Sequence, residues 1–169
     1  THVNPNTRFF HSVKEKLKFM VAEGYYDKSV IEVYSWEFLE SIYAAAFAYK
    51  YRFSKYISAS SFYGRMAVRD LTGKTYLERF EDRVVMTALD LARGSEDDAM
   101  RYMRVQMTGS YQPATPTFQN SGRKTGGERV SCFILPIVDS LTSIFTTLGE
   151  EAELSKLGGG VGICGTNVR

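Results

Sequence analysis

Two thiols, Cys132 and Cys164, are the side chains of this 169-residue chain best suited to redox or nucleophilic chemistry. Two cysteines cannot build a disulfide framework, so reduced thiols are expected. From residue type alone, each is either a small buried apolar side chain or a reactive group. The two histidines, His2 and His11, both lie near the start of the chain, so no His/Cys metal site is expected. The run Gly158-Gly159-Gly160 would allow close backbone approach to a phosphate. However, the lysine and hydroxyl of a phosphate-binding loop are missing, and the glycines follow a helical segment where such a loop would precede one.

The elements around the thiols are readable. Val130-Ser131-Cys132-Phe133-Ile134-Leu135 is a short apolar run bounded by turn residues, which predicts a buried strand. Asp139 is placed to cap a helix running through Ile144 and Leu148 toward Lys156. The glycine run ends that helix, and Val161-Gly162-Ile163-Cys164 begins a second strand. Strand, helix, strand is a parallel crossover unit. Two parallel strands leave open edges and an apolar face, so further chain, another polypeptide or an oligomer partner is expected to cover them.

Upstream, residues 1–110 read as helices separated by stop signals. Ser12 and Glu15 have capping-box spacing before Val13, Leu17, Met20 and Val21, with Gly24 as the stop. Ser35 to Tyr51 carries apolar residues at helical spacing. Thr75 and Glu78 repeat the capping box ahead of Leu77, Phe80, Val84, Val85, Ala88 and Leu91, ending at Gly94. Ser95 opens the next helix, with Asp97 and Asp98 in its first turn, and Gly109 closes it. The aromatic residues here are expected to be core and helix contacts. Tyr111 to Thr117, with Pro113 and Pro116, is predicted to be non-helical. Asn120-Ser121-Gly122 and Gly126-Gly127 are turn material, and Arg123-Lys124 between them is expected at a solvated loop tip. This divides the chain into a helical domain, 1–110, and an incomplete α/β unit, 111–169. The fold class is α+β.

Composition limits the function. With 21 basic and 19 acidic residues, the net charge of +2 gives no strong pull toward nucleic acid or membrane. No stretch approaches the ~18 apolar residues of a membrane span, and no leader is expected at the N-terminus. A soluble, cytoplasmic domain is expected.

Several motifs occur in a linked order: Asn6-Thr7-Arg8-Phe9-Phe10-His11, Tyr49-Lys50-Tyr51-Arg52-Phe53, Tyr76 through Arg83, and Thr115-Pro116-Thr117-Phe118-Gln119-Asn120-Ser121-Gly122. They continue with Val130-Ser131-Cys132-Phe133, Asp139-Ser140, Leu154 through Val161, and Thr166-Asn167-Val168-Arg169. Together they resemble the N-terminal portion of the large (alpha, catalytic) subunit of ribonucleoside-diphosphate reductase, class Ib-like. The resemblance implies a helical domain followed by the first strand-helix-strand unit of a ten-stranded α/β barrel. It implies that Cys132 is one of two redox cysteines that reduce the ribose 2′ position, and that Thr115, Ser131, Cys132 and Gly160 line the substrate site. It further implies that Asp139 and Arg169 belong to an allosteric site reading a deoxynucleoside triphosphate. Cys164 falls where the resemblance expects an apolar residue, so it is expected to pack.

The radical-bearing cysteine, its asparagine and glutamate neighbours and the second redox cysteine of such enzymes have no counterpart in these residues. The expectation is one piece of a reductase, a split subunit or an excerpt, inactive alone and completed by another polypeptide. The implied partners are a radical-generating, dimetal-containing small (beta) subunit, a thioredoxin- or glutaredoxin-like reductant and a ribonucleoside diphosphate. The alternative is a non-catalytic nucleotide-binding or assembly module derived from the reductase.

Overall fold

The computed structural model describes residues 5–157 and 159–169. Helix α1 (Val13–Ala22) begins where Ser12 Oγ accepts from the Glu15 amide at 3.1 Å. The Glu15 carboxylate in turn accepts from the His11 amide at 2.9 Å. Helix α2 (Lys28–Glu32) is capped by Asp27, and α3 (Trp36–Ala48) by Ser35, whose hydroxyl accepts from the Phe38 amide. Helix α4 (Tyr56–Ser61) runs into a π-helical turn, Phe62–Met66. Helices α5 (Phe80–Ala92) and α6 (Glu96–Met107) follow, α6 capped by Ser95 and acidic in its first turn. Helix α5 is central: it packs on α2, α3, α6 and α7 (Thr115–Asn120), and ten consecutive residues after Phe80, from Glu81 to Asp90, are buried. Leu17, Met20, Ile42, Val84, Val85, Met86, Leu89 and Met103 form the core around it.

Two helix boundaries differ from the sequence reading. The Thr75–Glu78 pair is not a cap, because α5 starts at Phe80 and it is Asp82 that accepts from the Arg79 amide, at 2.7 Å. Thr75 is instead held in a turn by Asp70, and Glu78 is drawn into the core by three partners described below. The Pro113–Pro116 stretch is also not wholly irregular. Thr115–Asn120 is helical, with Pro116 in the first turn, where its missing amide donor costs nothing. Burial of Phe118 against α5 supplies the packing that a short helix needs.

The crossover unit comprises β1 (Cys132–Pro136), α8 (Leu141–Lys156) and β2 (Gly160–Cys164). The strands pair in parallel, Cys132 opposite Gly160 and Pro136 opposite Cys164. Helix α8 packs on both strands. The cap of α8 is Ser140, not Asp139: Ser140 has extended backbone angles and its hydroxyl accepts from the Ser143 amide at 3.2 Å. Nor is β1 buried, since Phe133 and Leu135 are half-covered while Cys132, Ile134 and Pro136 are exposed. The partner strand covers one edge of β1 and α8 one face, and among the described residues the other face is open. The glycine-run reading partly involves Gly158, which lies outside the described residues. Gly159 is required for space, because a Cβ there would sit 2.6 Å from the Phe133 ring. Among the described residues, no helix is long and apolar enough to cross a membrane.

Candidate active site

The parallel register sets the geometry of the candidate site. Cys132 opens β1 and Gly160 opens β2, so they are direct neighbours at the N-terminal ends of the two strands. The Gly160 amide donates to the Ser131 carbonyl at 2.8 Å, and Ser131 Oγ lies 3.5 Å from Cys132 Sγ. A Cβ on Gly160 would stand 3.2 Å from that same carbonyl, so a larger residue would push the strands apart. The Cys132 side chain is exposed, on the strand face opposite the half-covered Phe133. Three of the four residues expected around a substrate, Ser131, Cys132 and Gly160, are therefore brought together by the fold. The arrangement offers a thiol, a hydroxyl and an open backbone surface.

Thr115 is placed differently. It opens α7 and lines an open groove of about 420 Å³ with Tyr51, Phe53, Phe62, Phe80 and Phe118. Its helix is nonetheless tied to the approach to β1. Thr117 Oγ1 donates to the Arg129 carbonyl and Asn120 Nδ2 to the Glu128 carbonyl, each at 2.8 Å.

Asp139 and Arg169 meet at the opposite end of the sheet. Arg169 Nε donates to Asp139 Oδ2 at 2.5 Å, with the arginine almost fully exposed. The Ile137 amide donates to the Cys164 carbonyl, extending the pairing past β1, and a turn from Gly165 to Val168 brings the arginine back. Four residue steps along β1 correspond to about 13 Å, which separates this pair from Cys132. The two expected sites thus occupy opposite ends of one crossover unit.

Cys164 does not pack as expected. It is exposed at the end of β2, with Sγ 3.3 Å from Thr166 Oγ1. Hydrogen bonding from the Thr166 side chain, then its backbone, holds the thiol below its ordinary range. The strand ends there, and among the described residues no third strand pairs beside it. Among the described residues, no three His, Cys, Asp or Glu side chains group to hold a metal.

Sequence reasoning missed a polar network buried in the helical core. Glu78, fully buried, accepts from Tyr26 Oη at 2.6 Å and the Val68 amide at 2.8 Å, and Arg83 Nη1 lies 3.2 Å away. Burial, with Glu78 beside it, raises the Tyr26 phenol well above its ordinary value. Arg83 also donates to the Ser121 carbonyl, and Arg123 to the Met66 carbonyl that ends the π-turn. Arg123 is therefore no solvated loop tip: burial pushes its guanidinium down from the usual arginine value. A charge inside an apolar helical stripe was the available signal, at Arg83.

Comparison with known proteins matches the chain in three stretches. Residues 1–53 match the family model described as ribonucleotide reductase N-terminal, and 52–126 match the ribonucleotide reductase all-alpha domain. Residues 130–169 match the ribonucleotide reductase barrel domain. Over 168 residues, 99% of this chain and 23% of the relative, it is 45% identical to the ribonucleoside-diphosphate reductase subunit alpha of Mycoplasma pneumoniae. It is 43% identical over 162 residues to that of Bacillus subtilis, covering 96% of this chain and 23% of the relative. A vitamin B12-dependent ribonucleoside-diphosphate reductase of Mycobacterium tuberculosis is 44% identical over 71 residues, 42% of this chain and 10% of the relative. The chain thus spans about a quarter of the length of the alpha subunits it matches.

Proposed function

The chain belongs to the ribonucleotide reductase large-subunit family and corresponds to its N-terminal portion, and from that premise we propose that it supplies one redox thiol, part of the substrate site and part of an effector site to a class Ib-like, cytoplasmic reductase. The observation that carries this reading is the juxtaposition of Ser131, Cys132 and Gly160 at the strand ends, with the thiol open to solvent. In the net reaction the C2′–OH bond of a ribonucleoside diphosphate is replaced by C2′–H and the oxygen leaves as water, the two electrons and two protons coming from Cys132 and a second thiol as they become a disulfide. The second thiol and the radical cysteine come from chain beyond these residues, and a dimetal-containing small subunit generates the radical. A thioredoxin- or glutaredoxin-like dithiol then restores the thiols.

Arg169 and Asp139 make the effector half of the proposal. A triphosphate would draw the arginine fork away from the carboxylate, leaving Asp139 to accept from a ribose hydroxyl. Two assays test the reading. The isolated 19.1 kDa chain should form no deoxynucleotide with small subunit and dithiol present, whereas the completed assembly should. Calorimetry with a deoxynucleoside triphosphate on that assembly should show Arg169→Ala losing on the order of 1.5–3 kcal/mol of affinity. Product from the isolated chain, or unchanged affinity in both Arg169→Ala and Asp139→Asn, contradicts it.

A further inference from the structure

The crossover unit packs mainly on itself, so something else must fix where Cys132 stands relative to the helical body. The segment between them, residues 121–129, is fastened at both ends. At its start, the Gly122 amide donates to Asp90 Oδ2 at 2.9 Å, while the Asp27 amide donates to the Gly122 carbonyl at 2.9 Å. At its finish, Arg129 Nη2 reaches that same Asp90 oxygen at 2.9 Å. One carboxylate therefore gathers both ends of the loop.

We infer that Asp90, acting through Arg129, is a positioning residue for Cys132. The inference rests on the redox role proposed for that thiol. An exposed ion pair is ordinarily worth little, because ordering two long side chains offsets the attraction. Here one partner is already ordered: the Asp90 side chain is only 8% exposed and is held by the Gly122 amide. Arg129 is also gripped from its backbone, whose carbonyl accepts from Thr117 Oγ1. Three residue steps separate Arg129 from Cys132, a reach of at most about 10–11 Å. Fixing Arg129 from two sides therefore leaves the thiol a small volume, which is the kind of restraint that aligned reacting groups need. Asp90 and Arg129 touch no reacting atom themselves.

The test uses the reductase assembly that contains this chain, with Arg129→Ala, Arg129→Lys and Thr117→Val. Arg101→Ala, which breaks an exposed ion pair with Asp98, serves as the control. Arg129 is partly exposed, so its variants should fold even where Asp90 variants do not. Arg129→Ala should raise amide exchange across 128–132 about tenfold. It should lower kcat about fivefold with KM little changed. Arg129→Lys, which keeps a donor for Asp90, should recover most of both effects, Thr117→Val should show smaller ones, and the control none. Unchanged exchange in Arg129→Ala overturns the inference. So does raised exchange with unchanged kcat, if Cys132→Ser abolishes turnover. Retained turnover in Cys132→Ser instead overturns the redox reading, and the tether then stands or falls on exchange and its rescue by lysine.

Discussion

Glu78 and Arg83 stand 3.2 Å apart with neither side chain exposed, an ion pair placed inside the helical core. Glu78 also holds Tyr26 and the Val68 amide, while Arg83 reaches the Ser121 carbonyl, so the pair joins four separate stretches of chain. Its removal should be costly, because each partner left behind is a buried charge. Glu78→Ala should lose about 3–5 kcal/mol in urea unfolding, an amount set by uncompensated burial of Arg83. Glu78→Gln leaves Arg83 equally uncompensated but keeps one acceptor oxygen, so it should lose about 1 kcal/mol less, the usual worth of one hydrogen bond. Equal, small losses in both would mean the pair is energetically idle.

Gly122 takes a left-handed conformation, φ +68°, directly against Met86. An added Cβ would lie 2.7 Å from Met86 Cγ. Gly122→Ala should therefore cost about 1–3 kcal/mol, part strain and part overpacking. Combined with Met86→Ala, the loss should be less than the sum of the two single losses, because the clash vanishes while the strain remains. Strict additivity in a double-mutant cycle would refute the contact.

Glu81 carries a pH dependence. Burial first, and then the neighbouring Asp82 charge, raise its carboxyl above the ordinary carboxylate range. A folded-state value above the unfolded one means the folded chain binds the proton more tightly. This group's favourable contribution is then full below the unfolded carboxylate value and is lost as pH rises through the folded one. Glu81→Gln should consequently be more stable than wild type at pH 7, with the difference shrinking as pH falls toward 4. Thermal unfolding at the two pH values measures this, and a difference that grew on acidification would contradict the sign.

How far the sequence was legible depends on whether a signal was local. Ser12 and Ser95 cap their helices where the sequence places helix starts, and Ser35, read as the start of an apolar helical segment, caps α3, since a cap needs only its own next three residues. The parallel strand pair was likewise readable from two short apolar runs and the helix between them. Where a tertiary partner competed, the local reading failed. Glu78 has cap spacing but finds buried donors from distant residues, and Asp139 finds Arg169 and leaves the cap to Ser140. Pro116 was read as a breaker although a first helical turn tolerates it. The Asp90–Arg129 tether spans 39 positions and leaves no periodic trace, so only the folded chain reveals it.

The exposed thiol at the head of β1 is the centre of the functional account, and the second thiol supplies its internal control. In the completed reductase assembly, dithiol-dependent turnover should be abolished by Cys132→Ser, because a hydroxyl cannot enter a disulfide. Cys164→Ser should leave turnover largely intact, its thiol being about 13 Å of strand away and bonded to Thr166. Turnover that survives Cys132→Ser, or that is lost instead in Cys164→Ser, would contradict the assignment.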